Sequence, residues 1–331
     1  MVQLTDKSGE TAVISLPSYI ESMQPHVAGN PEVSWEEKKS LEKSLNGHTL
    51  QLGRALKVGE KWKHWPRVKS ALRNKYCHIP VLAGYMKTHK QWQPGQPPPQ
   101  RPVAGADEAN NAQLSELLAE IVVAITALQD QESEVLLRST EEACAEFEGI
   151  NNREDLSEFV LFSTDISAMF PSLDIPEVAK IVAEEYLRSG LDIDLDMPEV
   201  SLYLSVTNKR DEIVTRGWGD VTHTRTKSGG RAPGITTDEV CERGPKTKSL
   251  FNPPARRPTN QEKREMFAKM LENLINEAMA GHIFSFNGTI YRQASGGAIG
   301  NILTGALAAL FMVWWSRQFK QRLMRATSDI P

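Results

Sequence analysis

Leu161-Phe162-Ser163-Thr164-Asp165-Ile166-Ser167-Ala168-Met169-Phe170-Pro171-Ser172-Leu173 is one of two stretches on which the reading of this chain turns. The other is Tyr291-Arg292-Gln293-Ala294-Ser295-Gly296-Gly297-Ala298-Ile299-Gly300. The first grows out of the β-branched and aromatic run 159–163 and reads as a buried strand ending on a carboxylate and then an aromatic. Pro171 limits what can follow. The second reads as a Gly-rich turn that opens a long apolar helix, its glycines allowing a backbone approach that side chains would obstruct. Asp165 alone carries little weight, because most aspartates leaving a strand cap a helix. The phrase around it carries more.

Outward from these stretches the local signals are uneven. Residues 1–53 show weak periodicity and several breakers, Pro17, Pro25 and Gly29-Asn30-Pro31 among them. Within them, Ser34-Trp35-Glu36-Glu37 has the form of a capping box and predicts a short helix to about Leu45. Residues 54–75 read as a basic amphipathic helix interrupted at Pro66. Tyr85 to Lys90 and Gln96 to Val103 read as two strands around a proline-stiffened loop. Helices are predicted over Ala112 to about Glu134, Ser139–Phe147 and Ile175–Ser189. Residues 207–258, rich in Gly, Pro, Arg and Lys, read as a long exposed excursion. Thr259-Asn260-Gln261-Glu262 is a second capping box, opening a helix that stops at Gly281. His282–Phe286 and Thr289–Arg292 around Asn287-Gly288 predict a hairpin.

The overall charge of −4 conceals segregation. Residues 54–103 hold eleven Lys and Arg against only Glu60, whereas 104–200 hold 4 basic and 23 acidic residues. The basic segment is interleaved with Trp62, Trp65, Tyr76, Tyr85 and Trp92, a pattern that can hold a phosphate backbone and stack bases, or form a solvated lysine-rich face. Cys77, Cys144 and Cys241 lie far apart with no C-x-x-C pairing, which supports neither a disulfide framework nor a zinc site and fits a reducing compartment. The first ten residues are polar with no apolar region after them, so no signal peptide is predicted and the expected location is intracellular, nuclear or cytoplasmic. The uncharged stretch 293–316 invites comparison with a membrane span, residues 299–315. Its Gly-Gly-Ala-Ile-Gly-Asn front and short apolar run favour a buried core helix instead, so no membrane partner is expected.

Nucleotidyl transfer from a nucleoside triphosphate needs two Mg²⁺ held by carboxylates at strand ends, since the metals stabilise both the attacking and the leaving oxygen. Asp165 suits one such ligand, and the Ile166 carbonyl beyond it could complete the coordination.

Thr164-Asp165-x-x-x-x-Phe170-Pro171-Ser172-Leu173 resembles motif A of reverse transcriptases, the RNA-directed DNA polymerases, and Gln293-x-x-Gly296-x-x-x-Gly300 followed by Leu303-Thr304-Gly305 resembles their motif B. Tyr85-Met86-Lys87-Thr88-His89-Lys90 and Arg101-Pro102-Val103 resemble the finger motifs, and Asn111–Leu118 the helix that follows in Penelope-like and related non-viral retroelement enzymes. The resemblance implies an α+β fold: right-hand polymerase fingers and a partial palm, a small mixed sheet packed by helices, the thumb absent. It implies an N-terminal extension over 1–53, fingers over 54–158 and partial palm over 159–331, with motif A at 161–174 and motif B at 291–312. It implies Asp165 as catalytic and metal-binding, with Ile166 as a second metal ligand. Phe170 becomes the sugar gate, Gln293, Gly296, Gly297 and Gly300 line the nucleotide and template site, and Lys90 and Arg101 hold the triphosphate, with Lys87 a rival. The cofactor implied is Mg²⁺, and the partners are a deoxynucleotide and an RNA or DNA template–primer.

Motif B departs from the family pattern at Asn301-Ile302-Leu303-Thr304-Gly305, which lacks the usual Ser-Pro pairs. The family also places an aromatic-x-Asp-Asp hairpin after motif B, and no Asp-Asp pair occurs anywhere in this sequence. With one carboxylate site the two-metal clamp cannot assemble, so the expectation is an incomplete and inactive polymerase. The competing expectations are a non-catalytic nucleic-acid-binding module built on 54–103 and 207–258, and a protein with a single membrane span.

Overall fold

A computed structural model describes residues 2–6, 10–56, 78–88, 90, 91, 93, 95–105, 109–133, 140–152, 166, 168–191, 205–206, 248–249 and 259–328. Among these residues the chain is α+β, with seven helices and four two-stranded antiparallel ladders. In chain order the elements are β1 (Val2–Leu4), β2 (Thr11–Val13), α1 (Leu16–Val27), α2 (Trp35–Ala55), β3 (Leu82–Met86) and β4 (Gln100–Ala104). Then come α3 (Ala112–Ser133), α4 (Thr140–Asn151), α5 (Ile175–Ser189), β5 (Ser205–Val206) and β6 (Lys248–Ser249). The last are α6 (Asn260–Ala280), β7 (Ile283–Phe286), β8 (Thr289–Arg292) and α7 (Ile302–Ser328).

The ladders are linked by single bridges. β3 pairs with β4 along its length, and near its two ends Met86 bridges Thr5 and Val81 bridges Ser285, both in parallel sense. The hairpin β7–β8 turns on Asn287 and Gly288, with φ of 47° and 84°. Positive φ at both central positions is what a type I′ turn requires, and Asn-Gly supplies it at least cost. Ser205 and Val206 pair with Ser249 and Lys248; the rest of the predicted excursion 207–258 lies outside the described residues.

Two cores hold the fold. The larger lies among α2, α3, α5, α6 and α7, with Leu52, Leu118, Val122, Tyr186, Phe267, Leu271 and Leu307 all buried. The smaller lies beneath β3, β4 and β7 and takes Tyr19, Met23 and Val27 from α1. Helix α6 begins with the predicted capping box: Thr259 N–H donates to Glu262 Oε2 at 2.8 Å and Glu262 N–H to Thr259 Oγ1 at 3.2 Å. Helix α5 is capped by Asp174 at one end and by left-handed Gly190, φ 67°, at the other.

Several boundaries differ from the sequence reading: the strand read over Tyr85 to Lys90 lies at Leu82–Met86, and the one read over Gln96 to Val103 at Gln100–Ala104. Helix α2 does not stop near Leu45 but continues to Ala55, because Leu45, Leu52 and Leu56 keep a helical spacing into the larger core. Gly47 is carried at a cost of about 1 kcal/mol. This helix also crosses the boundary drawn at residue 53, so the N-terminal stretch is built into both cores. Helix α4 ends at Asn151, and α7 runs past Trp315 to Ser328 with no Gly or Pro in that stretch to stop it. Among the described residues one helical stretch, Ala112–Asp130 in α3, is long and apolar enough to cross a membrane. Its Leu114, Leu117, Leu118, Val122 and Ile125 are buried in the larger core. The stretch 299–315 likewise buries Leu303, Leu307, Leu310 and Val313.

Candidate nucleotide cleft

The Gly-rich turn between β8 and α7 is the point where distant stretches meet. Gly297 N–H donates to the Phe170 carbonyl at 2.8 Å. Gly296 has φ of 66°, and a Cβ there would collide with the Pro171 backbone. On the other side Ala104 N–H, at the end of β4, donates to the Ile299 carbonyl at 3.1 Å. Gly300 has φ of 107°, and a Cβ on it would lie 2.6 Å from the Ala104 carbonyl oxygen. The turn is therefore held between the segment that follows Asp165 and the strand that carries Arg101, and only glycine permits both approaches.

The segment after Asp165 is a tight coil. Ser172 N–H donates to the Ala168 carbonyl at 3.1 Å and Leu173 N–H to the Phe170 carbonyl at 3.3 Å. Ala168 adopts φ of 51°, a left-handed conformation that costs a residue with Cβ about 1–2 kcal/mol. Phe170 is half-buried and packs on the larger core, and Ile166 is exposed. Asp165 itself, with the strand predicted over 159–163, lies outside the described residues, as do residues 57–77 of the basic segment.

Gln293 turns inward on its own loop: its Nε2 donates to the Ser295 carbonyl at 2.8 Å, and its N–H donates to the His282 carbonyl at 2.9 Å. Asn301 Oδ1 accepts from Leu303 N–H at 2.9 Å, so this side chain does for the start of α7 what a capping Ser or Thr does elsewhere. The departure from the Ser-Pro pattern thus leaves a well-formed helix start.

The cations sit along the β3–β4 hairpin. Arg101 is paired across the ladder with Tyr85, and its guanidinium lies 3.3 Å from the Asp6 carboxylate. Arg101 is 43% exposed and Asp6 only 7%, so the carboxylate anchors the arginine while leaving part of its fork toward solvent. Lys90 is exposed beyond the Met86 end of β3, and Lys87 lies half-buried at that end. Burial, and then the Lys87 charge, lower the pKa of His26 against an opposing hydrogen bond that the ring donates to the Gln100 backbone carbonyl. Along β4, Arg101 stands three residues from Ala104, about 10 Å at the rise of an extended strand. The structure thus brings Phe170, Gly296, Gly297, Gly300 and the Arg101 strand to one place. Lys90 stands further out along the hairpin.

Sequence reasoning missed several supports. Asn30 Oδ1 accepts from Ala294 N–H at 2.9 Å, while its Nδ2 donates to the His26 and Val27 carbonyls. It ties the end of α1 to the Gly-rich turn, and the only hint was its place among breakers. Asp6 gave no hint at all. His282, fully buried, sets Nδ1 3.3 Å from Asn111 Oδ1, while Asn111 Nδ2 donates to the Ala278 carbonyl at 2.8 Å. Asn110 Nδ2 donates to the Gly281 carbonyl at 2.6 Å. These two asparagines close the end of α6 onto the start of α3. Burial lowers the His282 pKa to about 4, so the ring is neutral near pH 7.

Among the described residues no three His, Cys, Asp or Glu side chains converge so as to hold a metal. No family model, no curated protein and no solved structure matches this chain.

Proposed function

We infer that this chain is a polymerase-type nucleic-acid-binding protein of the reverse-transcriptase kind, whose cleft takes a nucleotide opposite a template base. Residues 85–104 act as the finger hairpin over that cleft, and the turn at 168–172 with the Gly-rich turn at 293–300 acts as the palm floor. The single observation that carries this reading is the backbone junction of Phe170–Pro171, Gly296–Gly300 and Ala104. Three stretches that resemble polymerase motifs one by one, and lie far apart in sequence, are in direct contact. Arg101 and Lys90 supply positive charge on one side for phosphate. Nucleotidyl transfer needs carboxylates beyond Asp165, and residues 1–331 carry no Asp-Asp pair. The activity proposed for this chain is therefore binding of template–primer and nucleotide, without appreciable turnover.

The test is fluorescence anisotropy of a labelled primer–template with a 5′ overhang, in Mg²⁺ buffer, with and without the next complementary deoxynucleotide. The reading predicts binding that weakens with salt and is strengthened by the correct deoxynucleotide over the three incorrect ones. It also predicts that Lys90→Ala lowers this nucleotide dependence. Salt-sensitive binding that ignores the nucleotide would leave only a nucleic-acid-binding module. Absence of binding at low salt would remove both, and robust primer extension would contradict the missing-carboxylate argument.

A further inference from the structure

Two helices carry large apolar side chains on solvent-exposed faces, and their charges are opposite. The first is the end of α7. Leu303, Leu307, Leu310 and Val313 face the core, and Arg317 continues that row, donating to Gln129 Oε1 at 2.9 Å and pairing with the Glu185 carboxylate. At about 100° per residue, Trp315, Phe319 and Leu323 fall in one narrow arc on the opposite side. They are 45%, 41% and 53% exposed. The rings of Trp315 and Phe319 stack 5.3 Å apart and 8° from parallel, so the stripe already holds a fixed shape. On the helical wheel Arg322 borders one edge of this arc and Lys320 the other, and residues 302–328 contain no acidic side chain.

The second is α4, solvent-exposed around its circumference. Ala143, Cys144, Phe147 and Ile150 share one arc of it, with Phe147 at 53% exposure. Glu148 borders that arc on one side and Glu146 on the other, both exposed. An aromatic stripe edged by cations and an aromatic-centred stripe edged by glutamates are complementary in both apolar and electrostatic terms.

We propose that the Trp315–Phe319 stripe of α7 is a docking surface for α4 of a second copy of this chain. Each copy offers both surfaces, so a two-fold axis makes the contact twice and closes the assembly as a dimer. Each contact covers three rings, Trp315, Phe319 and Phe147, and sets Arg322 against a glutamate edge, Glu146 or Glu148. The surface lies on α7 and α4 alone and does not depend on the nucleotide cleft.

Cys144 provides the test, because it is a native thiol exposed within the α4 stripe. One tagged copy keeps Cys144 as its sole thiol, with Cys77→Ser and Cys241→Ser. A second, differently sized copy carries those changes with Cys144→Ala and Phe319→Cys. Mild oxidation of the mixture is expected to give a disulfide between the two sizes. Sedimentation equilibrium of the unmodified protein is expected to show a dimer, whose Kd rises at least about tenfold in Trp315→Glu. Both altered side chains are exposed, and unchanged circular dichroism separates loss of docking from loss of fold. Three results would overturn the proposal. One is a monomer at every concentration. The second is a disulfide that forms only when Cys144 and Phe319→Cys are in the same chain, meaning that α4 folds back on its own α7. The third is a monomer whose α7 stripe binds phosphatidylserine vesicles.

Discussion

An ordinary histidine takes up a proton near pH 6.5, whereas His282, held in the interior between α3 and α6, does so only at about 4. In the unfolded chain the ring is hydrated and protonates as pH falls through its ordinary value. In the folded chain the same proton would have to enter a desolvated site. Between those two pH values the unfolded state binds more protons than the native state, so acidification weakens the fold. Above pH 6.5 the group contributes no pH dependence, and below about 4 the loss is complete. A gap of about 2.5 pH units corresponds to roughly 3 kcal/mol, and most of it is spent by pH 4.5. The measurement is urea unfolding at pH 7.5, 6.5, 5.5 and 4.5 for the native sequence and for His282→Gln. The variant is expected to be less stable at pH 7.5, having lost ring packing and the Asn111 contact, yet to show a shallower decline with acid. Subtracting the two curves removes the carboxylates common to both. Equal slopes, or a His282 ring proton resonance that titrates near 6.5, would refute the reasoning.

Gly296→Ala is expected to cost more than the ~1 kcal/mol of a left-handed alanine, because its Cβ also meets the Pro171 backbone; urea midpoints measure it. Ala168→Gly relieves the strained φ of 51° and is expected to raise stability by up to about 1 kcal/mol in the same assay. Arg317→Met leaves the buried Glu185 carboxylate without its cation and is expected to cost about 3–5 kcal/mol. Adding Glu185→Leu to Arg317→Met should recover much of that loss, since two well-packed apolar side chains replace a buried pair at little net cost.

The parts of the fold that were legible in advance are those specified by neighbours in sequence. The capping box at Thr259–Glu262, the stop at Gly281 and the type I′ turn at Asn287-Gly288 each contain their whole cause within a few residues. The start of α5 at Ile175 follows from Asp174 and Pro176 in the same way. Helix α1 was missed because Pro17 and Pro25 read as breakers. Pro17 sits in the first turn, where no N–H is required, and Pro25 in the last. The helix expected to end near Leu45 passes through Gly47 because burial of Leu52 and Leu56 outweighs the cost of that glycine. The glycines of the candidate cleft were legible as a need for close approach, but not what approaches. Pro171 and Ala104 enter through tertiary folding, and so do Asp6 against Arg101 and Asn30 against Ala294. A hydrogen bond across a wide sequence separation leaves no local periodicity to read.

Hydrogen–deuterium exchange with and without a primer–template tests the central claim most directly, because it reports on the three stretches at once without altering any of them. The account predicts that amides of 101–104, 168–173 and 293–300 gain protection together at low salt and lose it together as salt is raised. Protection confined to one of the three, or found elsewhere while all three exchange unchanged, would contradict it.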